Sequence, residues 1–158
     1  MNNPLRRRFL ACSLSSTALL PLLGLGLLKP RQVMAAEWQR SAFTAQTLQE
    51  AVRAYASGSA SESRDIVINA PEIAENGAKV GIEVSSTLSN VKSLAVFAEK
   101  NPLPLCATLE FSPQVLPYAR MELKISESTR LRVIAKTSDG KNHVAFRDIK
   151  VTLGGCGG

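Results

Sequence analysis

The sequence predicts a mainly β protein, an immunoglobulin-like antiparallel β-sandwich of about seven strands with an N-terminal helix and a flexible C-terminal tail. Three observations carry this. Beyond residue 64, seven short runs rich in Val, Ile, Leu and Thr are divided by turn residues, the strand density of a two-sheet sandwich. Met121-Glu122-Leu123-Lys124-Ile125 and Leu131-Arg132-Val133-Ile134-Ala135-Lys136 alternate, as strands do with one face on a core and charged residues facing water. Pro102, Pro104, Pro113 and Pro117 fall between runs, where they remove no ladder hydrogen bond. No internal repeat and no second domain is visible, and 158 residues suit one domain of ordinary size.

Residues 1–36 have the layout of an export signal. Arg6-Arg7-Arg8-Phe9-Leu10 precedes an uncharged apolar run from Ser13 to Leu28, and small residues follow at Ala35 and Ala36. A run of sixteen residues falls short of the roughly 20 that a spanning helix needs. Arg6, Arg7, Phe9 and Leu10 match the twin-arginine export pattern, with Leu5 where a polar residue is usual. The expectation is a periplasmic protein cleaved within Ala35–Glu37. Cys12 precedes the apolar run, so it is no lipoprotein acceptor and leaves with the signal.

The formal charge of +6 belongs largely to that segment. Arg6, Arg7, Arg8, Lys29 and Arg31 stand there without an acid, and the other 14 basic residues meet 13 acidic ones. No argument for nucleic-acid binding survives this division.

The expected domain spans 37–153. Residues 37 to 58 read as a helix: Thr47-Leu48-Gln49-Glu50 fits a capping box, and Leu48, Ala51, Val52 and Tyr55 give one apolar face. Gly58 stops it, and a polar stretch follows to Ser63. Strands are expected near Ile66–Asn69, Val80–Ser86, Ser93–Ala98, Leu105–Phe111, Arg120–Ser126, Leu131–Thr137 and His143–Leu153. Asn76-Gly77 and Asp139-Gly140 are hairpin signals, because both dipeptides tolerate positive φ.

Most chemistries are excluded. His143 is the one histidine, expected exposed at a strand start, and no CxxC or CxxCH motif exists for zinc or haem. No glycine loop opens a helix to cradle phosphate, and the carboxylates are scattered. Cys106, in the apolar run Leu103–Leu109, reads as a buried structural thiol; a disulfide to Cys156 is the weaker alternative in a permissive compartment.

Cys156 differs in its surroundings. Gly154, Gly155, Gly157 and Gly158 flank it, four of the chain's ten glycines. They leave the thiol without side-chain neighbours on a chain that can approach another surface closely. It stands three residues beyond Leu153, an extended reach of about 10 Å. A free cysteine ionises near pH ~8.5, and this one has no cation beside it while the terminal carboxylate opposes ionisation. It makes a poor catalyst and a good passenger for chemistry performed by other enzymes. Two other readings compete: a thiol-dependent sulfurtransferase acting alone, and a structural domain whose tail cysteine crosslinks it to a neighbour.

A Gly-Gly-Cys-Gly-Gly segment after a β-rich exported domain resembles the SoxY family, sulfur-carrier subunits of the periplasmic thiosulfate-oxidising Sox system. The likeness extends through Asn101-Pro102-Leu103-Pro104, Phe111-Ser112-Pro113, Asp139-Gly140-Lys141 and Val151-Thr152-Leu153-Gly154-Gly155-Cys156. It implies an immunoglobulin-like fold, a heterodimer with SoxZ through a sheet edge or face, and sulfur intermediates bound covalently to Cys156 without other cofactor or metal. It further implies transient docking with SoxAX, a haem enzyme that loads thiosulfate, with SoxB, a hydrolase that releases sulfate, and in some systems with a sulfane dehydrogenase. Cys106 departs from the family pattern, in which the tail cysteine is commonly the only mature one.

Overall fold

The structure, a computed structural model, describes residues 40–152. The expected export signal over 1–36, with Cys12, and the glycine-rich segment 154–158, with Cys156, lie outside the described residues.

Two short helices take the place of the single one expected over 37 to 58: α1, Arg40–Thr44, and α2, Leu48–Tyr55. The division falls at Thr47, whose backbone is extended (φ −118°, ψ 146°) and whose Oγ1 accepts the Glu50 amide at 3.2 Å. A cap satisfies an orphan amide only by leaving helical geometry itself, so the same threonine that starts α2 ends any continuous helix. Ala42, Ala51, Tyr55 and Ala56 are buried on one side of this layer. Gly58, at φ +102°, then turns the chain into the first strand.

Nine strands follow: β1 Ala60–Glu62, β2 Ile66–Asn69, β3 Ile73–Ala74, β4 Val80–Ser86, β5 Val91–Ala98, β6 Leu105–Glu110, β7 Tyr118–Leu123, β8 Thr129–Thr137 and β9 Asn142–Val151. The larger sheet runs β1-β9-β8-β5-β6, with β3 also on β9; the smaller runs β2-β4-β7. The seven expected strands are all present, most within two residues of their expected ends. β1 and β3 are additional. Both pair with β9, and both are parallel to it, Ala60 opposite Asn142 and Ile73 opposite Lys150, in an otherwise antiparallel fold. They occupy an edge and bury little, so neither carries an apolar pattern to read.

The core has two parts. Ile82, Val84, Leu94, Val96, Leu131, Val133 and Ile149 fill the space between the sheets. On the far side of the larger sheet, Ala95, Phe97, Ile134 and Val144 meet Ala42, Ala51 and Tyr55 of the helices. The larger sheet is therefore covered on both faces, which is why Leu94–Ala98 is a continuous apolar run rather than an alternating one.

This corrects the reading of β8. Its Arg132 and Lys136 do not face open water. Arg132 lies half-buried against Glu99 at 2.7 Å, and the Lys136 ammonium sits 4.1 Å from the Tyr55 ring centroid. Long cationic side chains cover apolar surface with their stems, so the alternating pattern accommodates a helix layer on that face. Tyr55 completes the seam with an edge-on contact to Phe97 and a 2.8 Å hydrogen bond with Ser93 Oγ.

The two turn signals differ in outcome. Asp139-Gly140 joins β8 to β9 as a hairpin, with Gly140 alone at positive φ (+83°) and its amide donating to the Thr137 carbonyl. Asn76-Gly77 is not a hairpin, because β3 and β4 belong to different sheets. Asn76 Oδ1 accepts the Ala78 amide in an Asx turn, and Gly77 has no positive φ. Close approach requires the glycine: a Cβ there would lie 2.4 Å from the Ile125 carbonyl oxygen and 2.9 Å from Val151 Cγ1.

Candidate functional site

β9 is the last strand before Cys156 in the sequence, and its end is tied down on two sides. On one side lies β3 with its flanks. The Lys150 amide donates to Glu72 O at 2.8 Å and the Thr152 amide to Ala74 O at 3.1 Å. On the other side Ser128 Oγ accepts the Val151 amide at 2.9 Å and donates to the Val151 carbonyl at 3.4 Å. Gly77 lets the β3–β4 link close over Val151 and accept the Ile125 amide at 2.7 Å. The chain is thus held to Thr152, four residues before Cys156, a span of about 13–14 Å when extended. Cys156 itself and Gly154, Gly155, Gly157 and Gly158 lie outside the described residues.

Cys106 is the second thiol of the expected mature chain. It sits in β6 where Phe97 opposes Leu105 and Val96 opposes Ala107, so it is the extra residue of a β-bulge, the device that re-aims a side chain. Its side chain is half-buried against the inter-sheet core rather than fully enclosed, and its thiol is free. Sγ lies 3.5 Å from the Pro104 carbonyl and 3.8 Å from Asn101 Nδ2. Burial pushes the thiol pKa up, with hydrogen bonds from the Ala98 backbone and Asn101 opposing it weakly. That environment suppresses the thiolate, the reactive form.

Asn101 was given no role in the sequence analysis and is structurally central. Besides touching Cys106, its Nδ2 donates to Lys124 O at 2.8 Å and its Oδ1 accepts the Ser126 amide at 3.0 Å, joining the β5–β6 turn to the chain beyond β7. Only its place in Asn101-Pro102-Leu103-Pro104 marked it, since Asn before Pro commonly opens a turn. His143 stands second in β9, opposite Ala135 and, on the other side, Ser61; the added strand β1 leaves it half-buried where exposure was expected. Among the described residues no three of His, Cys, Asp and Glu gather as metal ligands. Nor is any base hydrogen-bonded to the Cys106 thiol, so nothing there activates a nucleophile.

Comparisons with known proteins agree on one relationship. A family model described as "Sulfur oxidation protein SoxY" matches residues 52–156, from α2 through Cys156. Among solved structures, the sulfur carrier protein SoxY from Chlorobium limicola f thiosulfatophilum superposes with a TM-score of 0.62 at 30% identity, covering 68% of this chain and 97% of that one. A superoxide reductase (neelaredoxin) from Ignicoccus hospitalis superposes at 0.51 and 20% identity over 56% of this chain and 81% of its own, a likeness of fold alone. No curated protein sequence matches the chain.

Proposed function

The chain belongs to the SoxY family of sulfur oxidation proteins, and from that premise we propose that Cys156 is the covalent attachment point for sulfur intermediates on a swinging arm, the protein itself performing no catalysis. A carrier role in sulfur oxidation follows from the family. The residue-level reading is supported most directly by the family match running to residue 156, the tail cysteine among its glycines. The hydrogen-bonded root at Val151 and Thr152 supports it too, since an arm needs a fixed pivot.

In this reading a partner of the SoxAX type joins thiosulfate to Cys156. A sulfur–sulfur bond forms, the thiol proton leaves to solvent, and two electrons pass one at a time to the partner, whose haem chemistry accepts them. A SoxB-type hydrolase then adds water across the terminal sulfonate. Sulfate departs and Cys156 keeps a persulfide. Where a sulfane dehydrogenase operates, it takes six electrons from that outer sulfur, which gains three oxygens from water and becomes a sulfonate as six protons leave to solvent, and a second hydrolysis releases sulfate and returns the thiol. SoxZ is the proposed heterodimer partner, the periplasm the proposed compartment reached by the twin-arginine route, and no cofactor or metal beyond the bound sulfur is needed. The carrier's own task is access. Glycine-flanked cysteine enters each partner's cleft, while the cationic groups that would lower a thiol pKa are supplied by the partners.

The test is turnover of thiosulfate by the reconstituted partner enzymes with Cys156→Ser in place of the wild-type chain. Turnover should be lost with the fold intact, and Cys106→Ser should retain it. A Cys156→Ser protein that still supports oxidation ends the proposal.

A further inference from the structure

We propose that the corner made by β3 and the second half of β9, anchored by Ile73 and Phe146, is where an enzyme that takes up Cys156 seats its body. The proposal rests on Cys156 being the sulfur attachment point. Chain length requires some such surface. The domain holds the chain as far as Thr152, and Cys156 follows four residues later, within about 13–14 Å. An enzyme that draws this thiol into a cleft therefore brings its rim against the domain around the end of β9. On one flank of that end lies Ser126-Glu127-Ser128, exposed and polar. On the other lies β3, whose Ile73 is 58% exposed opposite Lys150. Lys150 is two residues from Thr152, about 7 Å along the strand.

The corner is the part of the larger sheet that the helices leave open. Val144, Phe146, Asp148 and Lys150 share one face of β9, because strand side chains alternate. Val144 packs beneath the helix layer with Ala42, Ala51 and Tyr55. One step on, Phe146 is 38% exposed, and Asp148 and Lys150 lie open beyond it. Ile73 stands on this same face, since residues paired across strands point the same way. Phe146 is fixed in advance. The guanidinium carbons of Arg132 and Arg130 lie 5.1 and 5.7 Å from its ring centroid, and Glu99 and Asp148 hold those arginines at 2.7 and 3.0 Å. Its side-chain freedom is spent before any partner arrives, so docking on it costs little ordering. An aromatic ring set among arginines is the composition of an interface anchor.

The backbone adds a second attachment. β1 pairs with β9 as far as Val144 and β3 takes over at Lys150, so among the described residues no strand lies beside Phe146, Arg147 and Asp148. The intervening chain crosses to the smaller sheet as β2 and returns past Ala70, whose carbonyl accepts from Arg147 at 3.4 Å. A groove of about 470 Å³ marks the opening. It has room for a few extended residues, a loop tip rather than a full strand. Charge sets what that tip carries. Arg130 lies 3.0 Å from Asp148 and Arg147 lies 3.8 Å from Glu72, while Lys150 has no carboxylate partner among the described residues. The occupant is thus an enzyme whose cleft is rimmed by an apolar loop bearing an acidic residue.

Loading kinetics test this, with the full chain in complex with its proposed heterodimer partner. Ile73→Ser and Phe146→Ala should each raise KM for the enzyme that joins thiosulfate to Cys156 about fivefold to tenfold, with kcat changed less than about twofold. Lys150→Glu should raise KM likewise and weaken its dependence on salt. Ile73 and Lys150 are exposed, so their variants decide the matter should Phe146→Ala fail to fold by circular dichroism. A Cys156→Ser chain should compete with wild type for the enzyme, with an inhibition constant near the wild-type KM. Adding Ile73→Ser and Phe146→Ala to it should weaken that inhibition about tenfold or more. Wild-type KM in the Ile73 and Lys150 variants overturns the inference, as does inhibition that survives both added substitutions. Corner variants that lose the heterodimer partner also overturn it, since the corner would then belong to that interface. Turnover by Cys156→Ser itself would instead end the carrier reading beneath it.

Discussion

Gly77→Ala tests how the root of the Cys156 segment is held. Glycine-to-alanine changes at compatible positions usually stabilise by about 0.4–1 kcal/mol, since the unfolded chain loses freedom. Gly77 has no positive φ, so the backbone itself accepts alanine. Space decides the sign. The new methyl would stand 2.4 Å from the Ile125 carbonyl oxygen, a backbone atom that cannot swing aside, and 2.9 Å from Val151 Cγ1. Relief requires the β3–β4 link to move outward, which stretches the 2.7 Å hydrogen bond from the Ile125 amide to Gly77 O. Overpacking costs typically 1–3 kcal/mol and a strained hydrogen bond about 1 more, against which the entropic gain is smaller. The net expectation is a loss of about 1–3 kcal/mol in urea unfolding with unchanged m-value. Amide exchange should rise at Val151 and Thr152 in particular. A neutral or stabilised Gly77→Ala protein would refute the close approach on which the pivot rests.

Three further outcomes are expected. Tyr55, at the end of α2, is buried against the larger sheet, and burial holds its phenol near 12, well above its ordinary 10, with the Ser93 hydrogen bond opposing this and Glu110 adding to it. The folded state then keeps a proton that the unfolded state gives up, so Tyr55's contribution is whole below pH 10 and drains as pH rises from 10 toward 12. Tyr55→Phe should remove that added alkaline loss, about 1.4 kcal/mol per pH unit within the window, in parallel unfolding series. Asn101→Ala should cost about 1–3 kcal/mol by removing the hydrogen bonds it makes to the Ser126 amide and the Lys124 carbonyl, at about 0.5–1.5 kcal/mol each, read by denaturant unfolding. Cys106 should alkylate far more slowly in the folded protein than Cys156, and at equal rate once both are unfolded, when labelled peptides are quantified over time.

Legibility followed burial. β2 and β4 were readable to the residue because Ile66–Asn69 and Val80–Ser86 bury one clean face between Gly, Pro and Asn signals. The Thr47 cap was equally plain, yet its consequence for the residues before it was not, since a capping threonine is by nature outside the helix it starts. β1 and β3 are held by backbone bonds to β9 along an edge, and backbone pairing leaves no mark in side-chain pattern. Arg132 and Lys136 looked like a water-facing row because the sequence does not say that a helix layer will cover them. Asn76-Gly77 imitates a hairpin because the same glycine serves positive φ and close approach. The proposed role of Cys156 rests on the sequence alone, where glycines on both sides leave the thiol without side-chain neighbours, and the residue lies outside the described residues.

The account stands or falls on where sulfur is found. Intact-mass analysis followed by peptide mapping, on protein exposed to thiosulfate and the loading enzyme, reads this directly. The account predicts an S-thiosulfonate on the peptide containing Cys156 and none on that containing Cys106. Adducts on Cys106, or an unmodified Cys156 in a system that is turning over, would contradict it.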